Sequence, residues 1–297
     1  MLRIALATAV AAFTLDEDMD PLRAACAQAG VTAQRVAWND PTVSWQRFDA
    51  VLLRSTWDYT DQLPAFLQWC ERVSAQTQLI NPLDVVRWNT DKRYLGELAR
   101  AGVPVIETHY LSLADAPDDF PGFAEFVLKP TVGAGSRGAR RFVADEREQA
   151  VAHASALQTQ GHEVMVQPYL AQVDSAGETA LLYFAGAFSH AIRKGPLLPR
   201  SSAATRALFA PEQISARQPS DAELAVAERV LDALPFARPL YARVDLLPSP
   251  DGPRLLELEL TEPSLFFDTA AGAAPRFVAA LCDAISTDIL HRTATTG

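Results

Sequence analysis

Cysteine is scarce in this chain: Cys26, Cys70 and Cys282 are its three. They are odd in number, far apart and without CxxC spacing, so they support neither a disulfide framework nor a zinc site, and they suit a reducing, cytoplasmic setting. Histidine is sparse too. His109, His153, His162, His190 and His291 show no HExxH spacing, and no GxSxG elbow occurs. No apolar run reaches the ~18 residues of a membrane span. Positive charge is in deficit, 26 Lys and Arg against 36 Asp and Glu, for a net charge of −10. That balance argues against nucleic acid or an anionic membrane as partner, and a polyanionic ligand would need a local cluster of Lys, Arg and metal. Internal repeats, low-complexity tracts and long single-charge runs are missing as well.

What is there is globular: 297 residues, 49% hydrophobic and 21% charged, a length for about two domains or one with subdomains. Arg3 and the run Ile4–Phe13 imitate a short signal peptide, but acidic Asp16, Glu17 and Asp18 follow at once. A first buried strand, Leu2–Ala7, explains the run better. The first third alternates strands (Val31–Trp38, Ala50–Leu53, Gln78–Ile80) with helices (from Asp20-Pro21 to Gly30, and Gln62–Ala75), which predicts a small open parallel sheet. A helix over Asp91–Ala101 ends at Gly102. Phe126–Lys129, a Gly-rich turn to Gly138, Ala139–Val143, a helix capped by Asp145 and Glu163–Gln167 form a second unit. The rest reads as antiparallel: a hairpin Thr179–Phe184/Ala187–Arg193 on Ala185-Gly186, a loop Gly195–Pro219, a helix Ser220–Leu234, strands Leu240–Leu247 and Arg254–Leu260, and a last helix Ala273–Leu290.

Strand alternation carries the sharpest chemistry. Arg243 and Asp245 project from one face, as do Glu257 and Glu259, while Leu256, Leu258 and Leu260 take the other. If the two strands pair, three carboxylates and a guanidinium converge, an arrangement that asks for a cation. Hard oxygen ligands suit Mg²⁺ sharing its shell with phosphates. Taken alone, the same alternation fits a solvated strand face. The segment from Phe126 through Lys129 to Gly133, Gly135, Ser136, Arg137 and Gly138 offers a strand-end lysine and a loop whose backbone N–H groups can approach phosphate oxygens. The GK[ST] ending of a Walker loop is missing, and a return strand replaces the helix of a dinucleotide fold. The strand ending at Gln167-Pro168-Tyr169-Leu170 can leave backbone groups free to read an adenine edge, or it is an ordinary core strand. Arg54-Ser55-Thr56-Trp57-Asp58-Tyr59 follows a strand end, where open α/β sheets bind ligands. There Arg54 suits a substrate carboxylate, Asp58 an ammonium, and Trp57 and Tyr59 pocket walls, although buried aromatics usually serve packing.

In order, these segments resemble the ATP-grasp superfamily over most of the chain. The C-terminal two thirds look like the ATP-binding half of glutathione synthetase, and the whole is more similar to the O-ureido-serine cyclo-ligases of cycloserine biosynthesis. The resemblance implies an α/β (α+β) ATP-grasp fold: an N-terminal open parallel-sheet domain on the substrate side (1–102), a central lid subdomain (103–170) and a C-terminal antiparallel-sheet domain with the metal site (171–297). Lys92, after Asn81-Pro82…Asn89-Thr90-Asp91, then looks like the first phosphate lysine and Lys129 like the second. Gly133–Gly138 would be the lid over the phosphates, with Gly195–Pro219 as a further closing segment. Gln167, Tyr169 and Leu170 would be the adenine hinge and Glu178 the ribose acid. Arg193 and Arg243 would be the catalytic cations. Asp245, Glu257 and Glu259 would be ligands of Mg²⁺, two ions expected and Mn²⁺ an acceptable substitute. Thr261–Ser264 would touch the acceptor. The activity implied is an ATP-dependent carboxylate–amine or cyclising ligase that works through an acyl phosphate on a small amino-acid-like substrate, with no nucleic-acid or membrane partner and a homodimer left open. An ATP-binding module without turnover and an ATP-grasp kinase are the competing readings.

Overall fold

The computed structural model describes residues 1–196, 198 and 213–295, with the backbone alone for 288–295. Three sheets organise it. The first is built by β1 (Arg3–Thr8), α1 (Met19–Gln28), β2 (Thr32–Ala37), β3 (Ala50–Leu53), α2 (Leu63–Ser74) and β4 (Gln78–Ile80). It is parallel throughout, in the order β2-β1-β3-β4. All four residues of β3 are buried, which is why that strand reads as a continuous apolar run rather than an alternating one. Ala5, Ala7, Val51 and Leu53 face Phe66, Trp69, Cys70 and Val73 of α2, with Trp38 and Trp45 stacked edgewise onto Trp69.

Two short helices follow, α3 (Leu83–Asn89) and α4 (Tyr94–Arg100). The sequence reading places a single helix here, over Asp91–Ala101. The structure starts α4 later because the Asp91 carboxylate accepts the backbone N–H of Arg93 at 3.0 Å, a local bond that competes with helix. Val85, Tyr94, Leu95 and Leu98 pack beneath the third sheet, on Leu181, Val244 and Leu258, rather than on the first.

The second sheet has the order β5-β8-β6-β7, from β5 (His109–Leu111), β6 (Glu125–Pro130), β7 (Arg140–Val143) and β8 (Val164–Pro168), with α5 (Arg147–Thr159) across one face. Phe126, Leu128, Val164 and Val166 meet Ala150, Ala154 and Leu157 there. Asp145 is not the cap of α5. A 3₁₀ turn Ala144–Glu146 precedes it, and the Glu146 carboxylate accepts the Val143 N–H at 3.0 Å.

The third sheet, antiparallel, contains α6 (Val173–Ala176) at its entry, then β9 (Glu178–Phe184), β10 (Ala187–Lys194), β11 (Ile214–Arg217), α7 (Asp221–Asp232), β12 (Tyr241–Leu247) and β13 (Arg254–Glu259), in the order β11-β10-β9-β12-β13. The β9–β10 turn puts Ala185 at φ 49° and Gly186 at φ 79°, the double left-handed pair that matches strand twist. A capping box, Ser220 with Glu223, starts α7. The last helix, α8 (Ala273–Thr295), and α1 fill the space between the first and third sheets. Ile4, Leu6, Leu52, Ala180, Leu182, Phe184, Phe277 and Leu281 form one continuous core. Of the expected loop Gly195–Pro219, residues 214–217 form β11, and residues 197 and 199–212 lie outside the described residues.

Candidate active site

The pairing of β12 with β13 sets Asp245 opposite Glu257 and Arg243 opposite Glu259. These side chains open onto a cavity of about 420 Å³ between the second and third sheets and the first. β13 is an edge strand, and its outer backbone groups need partners. They are supplied from far away in sequence. Asn89 Nδ2 donates to Leu258 O at 2.7 Å and its Oδ1 accepts from Leu260 N at 2.7 Å. Tyr94 Oη contacts both Leu258 O and Leu258 N at 2.8 Å. Asn81 ties Leu260 O, Tyr241 O and Leu240 N. The approach to Lys92 is thus rich in asparagine because two amides pin the strand that carries the carboxylates.

The carboxylates converge with the Arg243 guanidinium, as strand alternation suggested, and do not close into a cage of their own. Among the described residues no group of three His, Cys, Asp or Glu can hold an ion unaided. Cations interleave instead. Arg243 bonds both Asp245 (Nε to Oδ1 at 2.9 Å) and Glu259, and Lys92 Nζ lies 3.0 Å from Glu257 Oε1. Burial alone would raise Asp245, yet Arg243 and Lys194 hold it well below the usual carboxylate range. Glu257 is likewise lowered, against its burial, by Lys92 and Lys129. The compensation is incomplete further along. Burial outweighs Arg243 and pushes Glu259 up to about 7. Burial, with Glu259 beside it, takes Glu262 to about 8, and burial takes Glu178 to about 8 despite Lys194. An all-oxygen donor set whose ionised form burial disfavours until a cation joins it fits a hard divalent cation that completes its shell with phosphate and water.

The Gly-rich turn between β6 and β7 forms the roof. Gly133, Gly135 and Ser136 line the cavity, and Lys92 Nζ donates to Gly133 O at 2.6 Å. Gly138 lies behind it at φ 72°, where an added Cβ would stand 3.1 Å from Pro130 Cδ, so only glycine lets β7 leave this close to β6. Lys129 reaches the cavity from β6, and burial pulls its ammonium down to about 8. At the hinge, Gln167, Tyr169 and Leu170 line an apolar slot with Ile106, Leu247 and Leu256. Gln167 Nε2 donates to Thr108 Oγ1 at 2.9 Å, and Tyr169 lies under the Arg141 guanidinium at 3.4 Å. Glu178 borders the same space.

Five expected site residues point elsewhere. Arg193 turns its guanidinium away from the cavity onto Ala176 O (2.7 Å) and Ser175 O. Its neighbour Lys194, on the other face of β10, enters the cavity, with Nζ 2.7 Å from Glu178 Oε1 and 2.7 Å from Asp245 Oδ2. Period 2 put one of the two inward, and sequence did not say which. Arg54 is 1% exposed and serves the fold. It pairs with Asp18 at 3.1 Å and donates to Pro263 O, while the Asp18 carboxylate accepts the N–H groups of Leu265 and Phe267. Asp58 accepts the Trp38 indole N–H at 2.8 Å, outside the cavity. Ser55 Oγ is bonded to Thr8 Oγ1, and Thr56 is fully buried. Trp57, Tyr59 and Ser264 do line the cavity, with Glu262 of the expected Thr261–Ser264 loop, and are joined there by Phe266 and Glu17, which sequence reasoning left out.

A family model described as D-cycloserine synthetase DcsG, N-terminal domain, matches residues 4–81. The cycloserine biosynthesis protein DcsG of Streptomyces lavendulae is 41% identical over 295 residues, covering 94% of this chain and 98% of that one. The crystal structure of D-cycloserine synthetase DcsG superposes with a TM-score of 0.90 at 39% identity, over 95% of this chain and 99% of that chain. A D-alanine–D-alanine ligase from Bacillus anthracis, complexed with ATP, shares the fold at a TM-score of 0.66 and 15% identity, with 100% of each chain covered.

Proposed function

The chain belongs to the D-cycloserine synthetase family of ATP-grasp ligases, and on that premise we propose that it uses ATP and Mg²⁺ to activate the carboxylate of a small amino-acid-like molecule as an acyl phosphate, which a nitrogen of the same molecule captures with release of ADP and phosphate. The observation that carries this is one cavity with three differently built ends: an apolar hinge at Tyr169, Leu170 and Leu256, a cationic middle at Lys92, Lys129 and Lys194, and a polar, aromatic end at Trp57, Tyr59, Glu262 and Ser264. That sequence of environments fits adenine, phosphates and acceptor in line. Similarity to a cycloserine biosynthesis protein favours cyclisation over joining two molecules.

Asp245, Glu257 and Glu259 would hold the metal, which when bound neutralises phosphate charge and stabilises the transferring phosphoryl group. The chain's own groups do the rest. Lys92 and Lys129 reduce the repulsion between two anions that must meet. Arg243, fixed by Asp245 and Glu259, supplies a positioned guanidinium beside them. The Gly-rich roof keeps water from the activated carboxylate, which would otherwise hydrolyse unproductively. Glu262 accepts a hydrogen bond from Tyr59 at the acceptor end, and burial keeps it near neutrality.

Isotope transfer tests the proposal. Amino-acid-like carboxylates that carry an internal nitrogen are screened for magnesium-dependent ADP release, and the active one is labelled with ¹⁸O in its carboxylate. One label should appear in the phosphate released. ADP release with unlabelled phosphate would remove the acyl phosphate, and a stable phosphorylated hydroxyl product would make the chain a kinase.

A further inference from the structure

Besides the contact of His153 Nε2 with Gly138 O inside its own unit, the Gly-rich loop is tied from two sides, and one of these ties lies outside the nucleotide machinery. On one side Lys92 Nζ holds Gly133 O. On the other, Arg137 crosses to the 3₁₀ turn Trp57–Asp61 of the first sheet. Its Nη1 donates to Asp61 Oδ2 at 2.9 Å, and its Nη2 donates to Trp57 O at 3.0 Å and to Thr60 Oγ1. The Arg137 side chain is only 17% exposed, against 65% for Asp61. The backbone just before it is constrained: Ser136 sits at φ 60°, a left-handed conformation that serine adopts only when its surroundings impose it.

The turn that receives Arg137 also walls the acceptor end. Trp57 Nε1 donates to Glu262 O at 3.3 Å, and the Tyr59 hydroxyl bonds the Glu262 carboxylate. One guanidinium therefore joins the roof over the phosphates to the wall of the acceptor pocket. We propose that Arg137 is a latch that holds the Gly-rich loop shut against the 57–61 turn, a positioning residue that makes closure depend on the acceptor wall, rather than a ligand of phosphate. The inference rests on the nucleotide reading given above. A planar fork that meets three acceptors on one turn explains why arginine stands here, since a lysine ammonium cannot match that geometry. A loop that shuts only when the acceptor wall is in place admits less water to the activated carboxylate.

The test uses the full chain, the non-hydrolysable analogue AMPPNP and MgCl₂, with calorimetry for affinity and hydrogen exchange for residues 133–138. The variants are Arg137→Lys, Arg137→Ala and the double change Thr60→Val with Asp61→Ala, which removes both side-chain acceptors without altering any residue of the roof. AMPPNP affinity should stay within about threefold of wild type in all three, while exchange across 133–138 in the complex rises about tenfold. The single change Asp61→Glu should keep wild-type protection. Unchanged protection in the double variant overturns the latch. So does a loss of AMPPNP affinity in Arg137→Ala as large as that in Lys129→Ala, which would make Arg137 a phosphate ligand. If AMPPNP does not bind wild type at all, the nucleotide reading falls and the latch falls with it, a result seen before any variant is made.

Discussion

Lys194 reaches across β9 to Asp245, with Nζ 2.7 Å from Oδ2 and the same nitrogen 2.7 Å from Glu178. Ala180, which stands opposite Asp245 in β9, leaves the room for it. One ammonium thus holds two buried carboxylates, on two adjacent strands, at the centre of the cavity. Lys194→Met should lower kcat/KM for ATP by about a hundredfold, the size of loss seen when one preorganised donor to a charged transition state is removed. Arg193, whose guanidinium hydrogen-bonds Ala176 O and Ser175 O among the described residues, should on change to alanine keep ATP turnover within about threefold and cost about 1 kcal/mol of stability, the worth of a typical hydrogen bond. Steady-state ADP release and urea unfolding of both variants check the assignment; equal kinetic losses would contradict it.

Arg54 separates a structural role from a binding role. Its guanidinium sits between Asp16, Asp18 and Pro263 O, buried from the cavity. Arg54→Met leaves two buried carboxylates without their cation, a change that costs about 3–5 kcal/mol. The urea midpoint should fall accordingly. A raised KM for the carboxylate substrate with an unchanged midpoint would restore Arg54 to the substrate pocket.

Local periodicity made much of this site legible. Arg243 with Asp245, and Glu257 with Glu259, are period-2 pairs on strands joined by a short turn, so their shared face could be read without coordinates. The roof was legible for a similar reason, because glycines mark the places where backbone must approach closely. What stayed hidden depends on contacts distant in sequence. Asn89 and Tyr94 serve β13 from 164 to 171 positions away, and nothing local marks an asparagine as a strand pin. Arg54 looked like a ligand because its polar, aromatic neighbours follow a strand end. Its true partners, Asp18 and the turn at Pro263, come from 36 and 209 positions away.

Gly177 offers a purely steric test of how β9 is entered. It has φ 76°, and an added Cβ would lie 2.5 Å from Lys194 O and 2.7 Å from Arg193 Nε. Gly161, at φ 86°, has nothing within 4 Å of the same added atom. Gly161→Ala should therefore cost only left-handed strain, about 1–2 kcal/mol. Gly177→Ala should cost that plus the displacement of the β10 end, about 1–3 kcal/mol more, and it should raise KM for ATP because Lys194 moves with that strand. Equal thermal shifts for the two variants would show that the end of β10 gives way without loss.

The last prediction concerns pH and Lys129. Burial lowers its ammonium to about 8, below the ordinary lysine value. Between about 8 and that ordinary value the unfolded chain holds a proton that the folded chain has released. Protonated Lys129 therefore weighs against folding below pH 8, and the burden lifts as pH rises through about 8. Nucleotide binding runs the other way. Phosphate beside Lys129 favours the charged form, so ATP should bind with uptake of a proton near pH 8, and its affinity should fall by at most about tenfold per unit above that pH. Calorimetry in buffers of different ionisation enthalpy reads the proton directly. Lys129→Arg keeps its charge across the whole range. If that variant still binds ATP, the fall between about pH 8 and about pH 9 should disappear in it. A wild type whose ATP affinity is flat over that interval, with no proton uptake, would place the Lys129 ammonium away from the phosphates.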